Sequence, residues 1–368
     1  MLNCFWAKIF DRFRSRVRPR RVMKKIGFLG ASVTAQTYER EAGEVTGYVE
    51  VFKNEYAKGL GFEDVVVYAY AGNRISDAGL ICAAEILNQC LDVVILEVTI
   101  EDRSRGSDFS DKHLNHLCNI FTSNNVLPIF LALPEPGEHR PSNLAYQRIS
   151  RFAETKGIPL CIVELPPSVE LTDLYRDGVH TNAKGADRYA SSLGEFIGRM
   201  VDTGWPQITP NPDSFTFRVQ RIQMSGSSDF QTITIKNESP DREGGSLSII
   251  QRQSIGKHSP VIDIEITGLS GDSLRRQMSI WDPYCHYTRE SYINLVELDR
   301  TDFSEIIIRV SSKLPDYSSC RRDFDFTAAQ ANRCMRSDQP FWVISEDAIE
   351  LSVRTDTAVG NDPEVAIL

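Results

Sequence analysis

From Lys25 to Met200 the chain alternates segments typical of buried strands with segments typical of amphipathic helices. The strand-like segments are short apolar, β-branched and aromatic runs: Ile26–Leu29, Val65–Tyr70, Val93–Val98, Val126–Leu133 and Ile158–Val163. The helix-like segments are Gly47–Leu60, Ser76–Leu87, Asp111–Asn124, Pro141–Lys156 and Asn182–Met200, with Asn182 as an N-cap and Pro141 opening its helix. This alternation predicts an α/β domain whose parallel sheet is covered by helices on both faces.

The alternation ends near Thr203, and a second kind of pattern follows. The prolines of 203–214 are typical of a linker. Beyond it, short alternating runs are separated by turn residues, at Phe215–Ile222, Gln231–Ile235, Ser246–Ile250, Val261–Ile266, Ile293–Leu298, Glu305–Val310, Phe341–Ile344 and Ala348–Val353. We therefore predict an α/β domain at 24–202 and a β-sandwich-like domain at 215–368.

The N-terminal segment 1–23 has a different character. Apolar residues recur there at helical spacing among many arginines and lysines, opposed only by Asp11. Such a basic amphipathic helix is typical of peripheral contact with an anionic membrane, and packing on the protein's own core is the alternative.

Charge and cysteine content exclude several classes of protein. The chain has 368 residues and a net charge of −9, which argues against a general nucleic-acid binder. Its eight cysteines form no CxxC pair and no metal-ligand spacing, so neither a metal nor a cofactor is expected. Without an apparent signal peptide, a cytoplasmic location is the default expectation, with membrane association through 1–23 as a variant.

Polar residues that could carry chemistry follow the strands of the predicted sheet. Ser32 follows the first strand, Gly72 the second and Glu101 the third, while Asp177 and His180 lie between the last strand and the last helix. The carboxyl ends of parallel strands share one edge, which is where such sheets bind ligands. A serine hydroxyl becomes a good nucleophile when a histidine takes its proton and a carboxylate orients the histidine. The sequence thus supplies the parts of an acyl-transfer site.

Three short motifs at these positions have a familiar order: Gly30-Ala31-Ser32, Ala71-Gly72-Asn73 and Asp177-Gly178-Val179-His180. Together they resemble the first, second and last blocks of the SGNH (GDSL-type) hydrolase superfamily. The resemblance implies a flavodoxin-like three-layer α/β/α fold for 24–202. It also implies Ser32 as nucleophile, His180 as base, Asp177 as its orienter, and the backbone N–H groups of Ser32 and Gly72 as an oxyanion hole.

One position departs from the family pattern. Glu101 stands where the third block normally supplies an asparagine that donates to the oxyanion. An ionised carboxylate cannot donate, and losing one oxyanion donor can cost about 10²–10³ in rate. Three alternatives stay open: Glu101 is protonated, or it points away while Asn73 or Thr99 donates, or the site is impaired.

These observations lead to one main hypothesis and two alternatives. The main hypothesis is a serine esterase that removes O-acyl groups, acetyl above all, from a glycan or a small ester. The first alternative is an O-acyltransferase that modifies a polysaccharide, because it shares the acyl-enzyme and differs in the acceptor. The second is a catalytically impaired binding or assembly protein, which the charge at Glu101 would explain.

Overall fold

The structure of the chain is a computed structural model. It describes residues 23–37, 44–70, 73–75, 79–97, 110–209, 217–222, 231–239, 245–255, 261–279, 289–298, 302–311, 340–346, 349–356 and 365–367. The predicted amphipathic segment 1–23 lies outside these ranges, except for Met23. The chain forms two compact units, one made of Met1–Ala69 with Glu85–Asp213 and the other of Tyr70–Ala84 with Ser214–Leu368.

The first unit is built on a five-stranded sheet in which every neighbouring pair is parallel. Its strands are β1 (Lys25–Gly30), β2 (Asp64–Ala69), β3 (Val93–Glu97), β4 (Leu127–Ala132) and β5 (Leu160–Ile162). They are arranged in the order β2-β1-β3-β4-β5. This is the flavodoxin-like order of doubly wound sheets, so the predicted α/β fold is confirmed.

Helices cover both faces of this sheet. The described helices are α1 (Ser32–Ala35), α2 (Tyr48–Val51, continued by a π-helical segment Phe52–Ala57), α3 (Leu80–Leu87), α4 (Asp111–Ser123), α5 (Leu144–Lys156) and α6 (Ala183–Thr203). On one face the Phe28 ring of β1 packs edge-on against Phe52, with ring centroids 5.5 Å apart. On the other face Phe130 of β4 packs against Phe152 of α5 at 6.2 Å.

Two asparagines fix where the last two helices of this unit begin. Asn182 accepts a 3.1 Å hydrogen bond from the backbone N–H of Gly185, which makes it the predicted N-cap of α6. Asn143 accepts one from Tyr146 N–H at 2.9 Å and caps α5. The prediction that Pro141 opens this helix is wrong, because the asparagine cap sets the helix start after Asn143.

The second unit contains two antiparallel five-stranded sheets in its described part. Their orders are β10-β9-β12-β7-β14 and β11-β8-β13-β6-β15. The strands are β6 (Phe217–Ile222), β7 (Gln231–Asn237), β8 (Leu247–Ile255), β9 (Val261–Gly268), β10 (Ser273–Ser279), β11 (Arg289–Leu298), β12 (Phe303–Ser311), β13 (Phe341–Glu346), β14 (Leu351–Asp356) and β15 (Val365–Ile367).

Both sheets contribute to one buried core. Ile235 and Ile264 come from the first sheet, and Ile249 and Phe341 from the second. The predicted β-sandwich-like domain is therefore confirmed. The sequence pattern missed β10, whose residues are mostly exposed and which pairs only with β9 at the sheet edge. Edge strands are commonly polar, so they lack the alternation of apolar residues that indicates a strand in a sequence.

Candidate functional site

Ser32 stands at the turn between the first parallel strand and helix α1. Ala31 is extended, with φ −92° and ψ −155°, and Ser32 is the first helical residue. Ser32 is partly exposed, whereas its neighbours Ala31 and Val33 are buried. The strand–turn–helix geometry thus places a hydroxyl at the carboxyl edge of the sheet, where ligands of such folds bind.

The turn is tight enough to require glycine at Gly30. A Cβ atom on that residue would lie 2.3 Å from Oγ1 of Thr34 and 3.1 Å from Cβ of Glu97. Real Cβ atoms essentially never show the first distance, and the second is tighter than most of their contacts, so Thr34 above all occupies the space that a side chain would need. Glycine therefore lets the backbone of the serine turn approach two buried polar side chains.

The second element of the site is the loop that carries Asp177 and His180. Oδ1 of Asp177 accepts backbone N–H groups from Val179 at 2.8 Å and from His180 at 2.7 Å. Oδ2 lies 3.0 Å from Nδ1 of the His180 ring. One carboxylate therefore folds the loop and orients the imidazole, which leaves Nε2 as the ring nitrogen that could take a proton.

The charge of Asp177 is set by competing influences. Partial burial raises the pKa of its carboxyl, but the backbone N–H groups of His180 and Val179, followed by the His180 ring, lower that pKa by more. The net pKa lies below the ordinary value, so the group is a carboxylate at neutral pH. A carboxylate at Nδ1 favours the tautomer with a proton on that nitrogen and stabilises the imidazolium formed in catalysis.

Backbone contacts join the two ends of this loop. Tyr175 and Thr181 form an isolated antiparallel bridge, and the N–H of Arg176 donates to the carbonyl of His180 at 2.9 Å. Helix α6 begins directly after its cap, Asn182. His180 thus lies between the Tyr175–Thr181 bridge and the start of α6, the longest described helix.

A side chain near the serine joins the two elements. Nε2 of Gln36, at the end of α1, donates to the backbone carbonyl of Thr181 at 2.7 Å. Thr181 is 1% exposed, and its hydroxyl donates to the carbonyl of Thr46 at 2.9 Å. These bonds bring the Ser32 turn and the His180 loop together. The hydrogen bonds of the described residues do not include one from Ser32 Oγ to His180, a bond that free enzymes often form only with substrate.

Two of the four predicted oxyanion donors fall outside the described residues. This is the case for Gly72 and Thr99, and also for Glu101 at the atypical third-block position. Asn73 is described: it is 6% exposed, and its Nδ2 lies 3.6 Å from Sγ of Cys82. The oxyanion hole therefore stays a prediction from sequence.

Three residues that the sequence reasoning left without a role lie in or beside the site. Gln36 and Thr181 gave no sequence signal, because their contact joins a side chain to a distant backbone carbonyl. Glu97 did give a signal, since it is a carboxylate at the end of an otherwise apolar strand. It is 1% exposed in the structure.

Two further histidines lie in helix α4. His116 is buried, with 4% of its surface exposed. Nδ1 of His113 accepts the backbone N–H of Ser110 at 3.0 Å in a capping box at the start of α4. No cluster of three metal-ligating side chains occurs among the described residues. Within the same ranges, no helix combines the length and apolar character needed to cross a membrane.

Comparison with known proteins supports the fold. No protein-family model matches the chain, and no curated protein sequence matches it. Among solved structures, a two-domain esterase (CEX) active on acetylated mannans superposes with a TM-score of 0.55 at 15% identity, covering 95% of this chain and 96% of that one. The same esterase co-crystallised with mannopentaose gives 0.56 at 16%, covering 94% of each chain.

A third solved structure covers about half of the chain. An acetylxylan esterase from Geobacillus stearothermophilus aligns with a TM-score of 0.39 at 21% identity, covering 48% of this chain and 94% of that one. The first two comparisons show that this chain has the fold of that two-domain esterase, an α/β domain followed by a β-rich domain.

Proposed function

We propose that this protein is a serine esterase that removes acetyl groups from a glycan. The observation that carries the proposal is the hydrogen-bonded pair of Asp177 and His180, joined through Thr181 and Gln36 to the turn that presents Ser32. This arrangement contains a nucleophile, a base and an orienter at one edge of a parallel sheet. Its support from the fold is the likeness to an esterase over nearly the whole chain.

In the first half-reaction Ser32 Oγ attacks the ester carbonyl while Nε2 of His180 takes its proton. The charge of Asp177 stabilises the resulting imidazolium. The tetrahedral intermediate then collapses, and His180 gives the proton to the leaving alcohol of the sugar. This step leaves an acetyl group on Ser32 and a free hydroxyl on the glycan.

In the second half-reaction water replaces the alcohol. His180 takes a proton from the water as its oxygen attacks the acetyl carbonyl, and returns that proton to Ser32 Oγ as acetate leaves. In both steps negative charge develops on the carbonyl oxygen. The backbone N–H groups of Ser32 and Gly72, with Asn73 or Thr99 as a further donor, are the predicted partners for that charge.

The substrate class follows from two considerations. The structural neighbour with the same two-domain fold is described as active on acetylated mannans. The partial exposure of Ser32 also suits an ester on a large polymer better than one that must be enclosed. We therefore place O-acetylated polysaccharide first and small esters second.

The test uses purified full-length protein, a fluorophosphonate probe and acetate release from acetylated mannan and xylan. Labelling and acetate release that are both lost in Ser32→Ala support the proposal. Ser168→Ala, which removes an exposed serine from a loop of the same unit, is the matched control and should behave as wild type. A folded protein that neither takes the probe nor releases acetate contradicts the proposal.

The same assay separates the alternatives. Probe labelling with acetyl transfer to added oligosaccharide, in place of acetate release, would identify an O-acyltransferase. The absence of labelling in folded protein would favour the binding or assembly alternative, and Glu101→Asn then tests whether the charge at that position is responsible. A large gain of esterase activity in Glu101→Asn would show that the natural site is impaired.

A further inference from the structure

Glu97 is a buried carboxylate directly beneath the serine turn. It ends strand β3, whose other residues, Val93 to Leu96, are apolar, and it is 1% exposed. Removing a carboxylate from water is costly unless hydrogen bonds replace its hydration. Packing alone therefore does not account for a carboxylate at the end of a core strand.

The contacts of Glu97 lead to both sides of the nucleophile. Its Oε2 accepts from Oγ1 of Thr34 at 3.3 Å and from the backbone N–H of Ala31 at 3.5 Å. Ala31 immediately precedes Ser32, and Thr34 follows it by two residues in α1. The carboxylate thus contacts the turn on either side of Ser32.

A tyrosine completes this network. Oγ1 of Thr34 lies 2.9 Å from the hydroxyl of Tyr48, which is fully buried. Burial and then the charge of Glu97 raise the pKa of Tyr48, so its hydroxyl keeps its proton. Because Thr34 has one proton to give and gives it to Glu97, Tyr48 donates to Thr34. The hydrogen bonds therefore run in one direction, from Tyr48 through Thr34 to Glu97.

We infer that Glu97 is a positioning residue that fixes the Ser32 turn for attack. The inference rests on the proposed esterase function. In it, the buried network of Glu97, Thr34 and Tyr48 holds the Ser32 turn in position. These groups are buried away from water. Hydrogen bonds to a carboxylate are stronger in such an interior and hold the geometry more firmly than they would in water. The role is distinct from that of Asp177, which orients the base.

The test compares steady-state kinetics on 4-nitrophenyl acetate for four variants of the full chain. Glu97→Met removes both acceptor oxygens, and we expect kcat to fall about tenfold or more with KM unchanged, because small misplacements of a reacting group can cost about 10²-fold. Glu97→Gln keeps one oxygen that can accept from Thr34 and Ala31, and should recover most of the loss. Thr34→Val keeps the side-chain shape without the hydroxyl and should lower kcat in the same direction.

Leu96→Ala is the control for a merely structural role. It removes a buried side chain which, by the alternation of side chains along a strand, lies on the face of β3 opposite to that of Glu97. It should lower the melting temperature and leave kcat as in wild type. If Glu97→Met fails to fold, Thr34→Val and Glu97→Gln still decide the question.

The outcomes distinguish failure of the positioning role from failure of the proposed esterase function. An active wild type in which folded Glu97→Met and Thr34→Val keep full kcat overturns the positioning role and leaves the esterase proposal standing. An equal loss of kcat in Leu96→Ala also overturns it, since destabilisation of β3 would then be sufficient. A wild type without esterase activity overturns the proposed function and this inference together.

Discussion

The side-chain amide of Gln36 donates a 2.7 Å hydrogen bond to the backbone carbonyl of Thr181, 145 residues further along the chain. One partner lies at the end of the helix that begins with Ser32, and the other is the residue after His180. Among the described residues, this is the direct hydrogen bond between the turn that carries the proposed nucleophile and the loop that carries its base.

Loss of this bond should therefore lower both stability and activity. Gln36→Leu leaves the Thr181 carbonyl without its donor, at a cost of about 1–3 kcal/mol in unfolding free energy. We expect kcat for 4-nitrophenyl acetate to fall about tenfold, since the geometry of Ser32 relative to His180 is relaxed. Gln147→Leu is the control, because Gln147 of helix α5 also donates its side-chain amide to a backbone carbonyl, that of the exposed Ser142 before the helix. Equal activity in the two variants would contradict the bridging role of Gln36.

Substitution of Asp177 by asparagine separates its two tasks. Asparagine keeps an Oδ1 that can accept the N–H groups of Val179 and His180, so the loop should fold normally. Its Nδ2 would face Nδ1 of the imidazole and impose the wrong tautomer. We expect kcat to fall about 10³-fold or more, as when a catalytic carboxylate is replaced by an amide. A variant that keeps near-wild-type kcat would remove Asp177 from the proposed triad.

The lowered pKa of Asp177 predicts how stability changes with pH. Between the folded and the unfolded pKa the unfolded state binds more protons, so the free energy of unfolding rises with pH. The contribution of Asp177 is complete above the ordinary pKa of about 3.9 and is lost as pH falls through the lower folded value. Because the side chain is 46% exposed, the effect is small.

The measurement is the urea midpoint of wild type and Asp177→Asn between about pH 7 and pH 3. The difference between the two proteins should be constant above about pH 5 and shrink below about pH 4. A difference that grows on acidification would mean that the carboxyl is more easily protonated in the folded state.

A methyl group at Gly30 should disrupt the serine turn. Gly30→Ala brings a Cβ within 2.3 Å of Oγ1 of Thr34, so the turn or the network beneath it must move. We expect both a lower melting temperature and a large loss of kcat. Gly198→Ala is the control: its Cβ would meet Leu60 at an ordinary 3.7 Å, and alanine in a helix stabilises by about 0.5–1 kcal/mol.

Membrane contact through the N-terminal segment stays a prediction from sequence. Sedimentation with anionic vesicles should capture the full chain and lose most of it when residues 1–21 are removed, because basic residues near an acidic surface contribute about 1 kcal/mol each. Neutral vesicles and high salt are the controls, and both should weaken binding. Equal capture of both chains by anionic vesicles would assign the contact elsewhere.

Much of the fold could be predicted because three strands of the parallel sheet, β1, β3 and β4, are buried along almost their whole length. Val93–Leu96 in β3 is an example, since a buried strand is a continuous apolar run whose type is clear from its length and flanks. The edge strand Ser273–Ser279 could not be found in this way. It is polar and pairs on one side only, so its sequence carries no burial pattern.

In the site, contacts between residues close in sequence could be predicted, and contacts between distant residues could not. The proximity of Asp177 and His180 could be predicted because only two residues separate them and a short loop suffices to join them. The contacts of Gln36 with Thr181, and of Glu97 with Thr34, are made between distant parts of the chain. They depend on how strands and helices pack in three dimensions, which local periodicity does not encode.

The position of the His180 loop after the last parallel strand has a consequence for synthesis of the protein. Ser32 follows the first strand, so a growing chain exposes it early, while its proposed base and the Thr181 carbonyl leave the ribosome some 145 residues later. Domains fold in large part as units, N-terminal first. A nascent chain that ends before α6 would therefore carry Ser32 without its proposed base, and the proposed reactivity would begin only when the domain is complete.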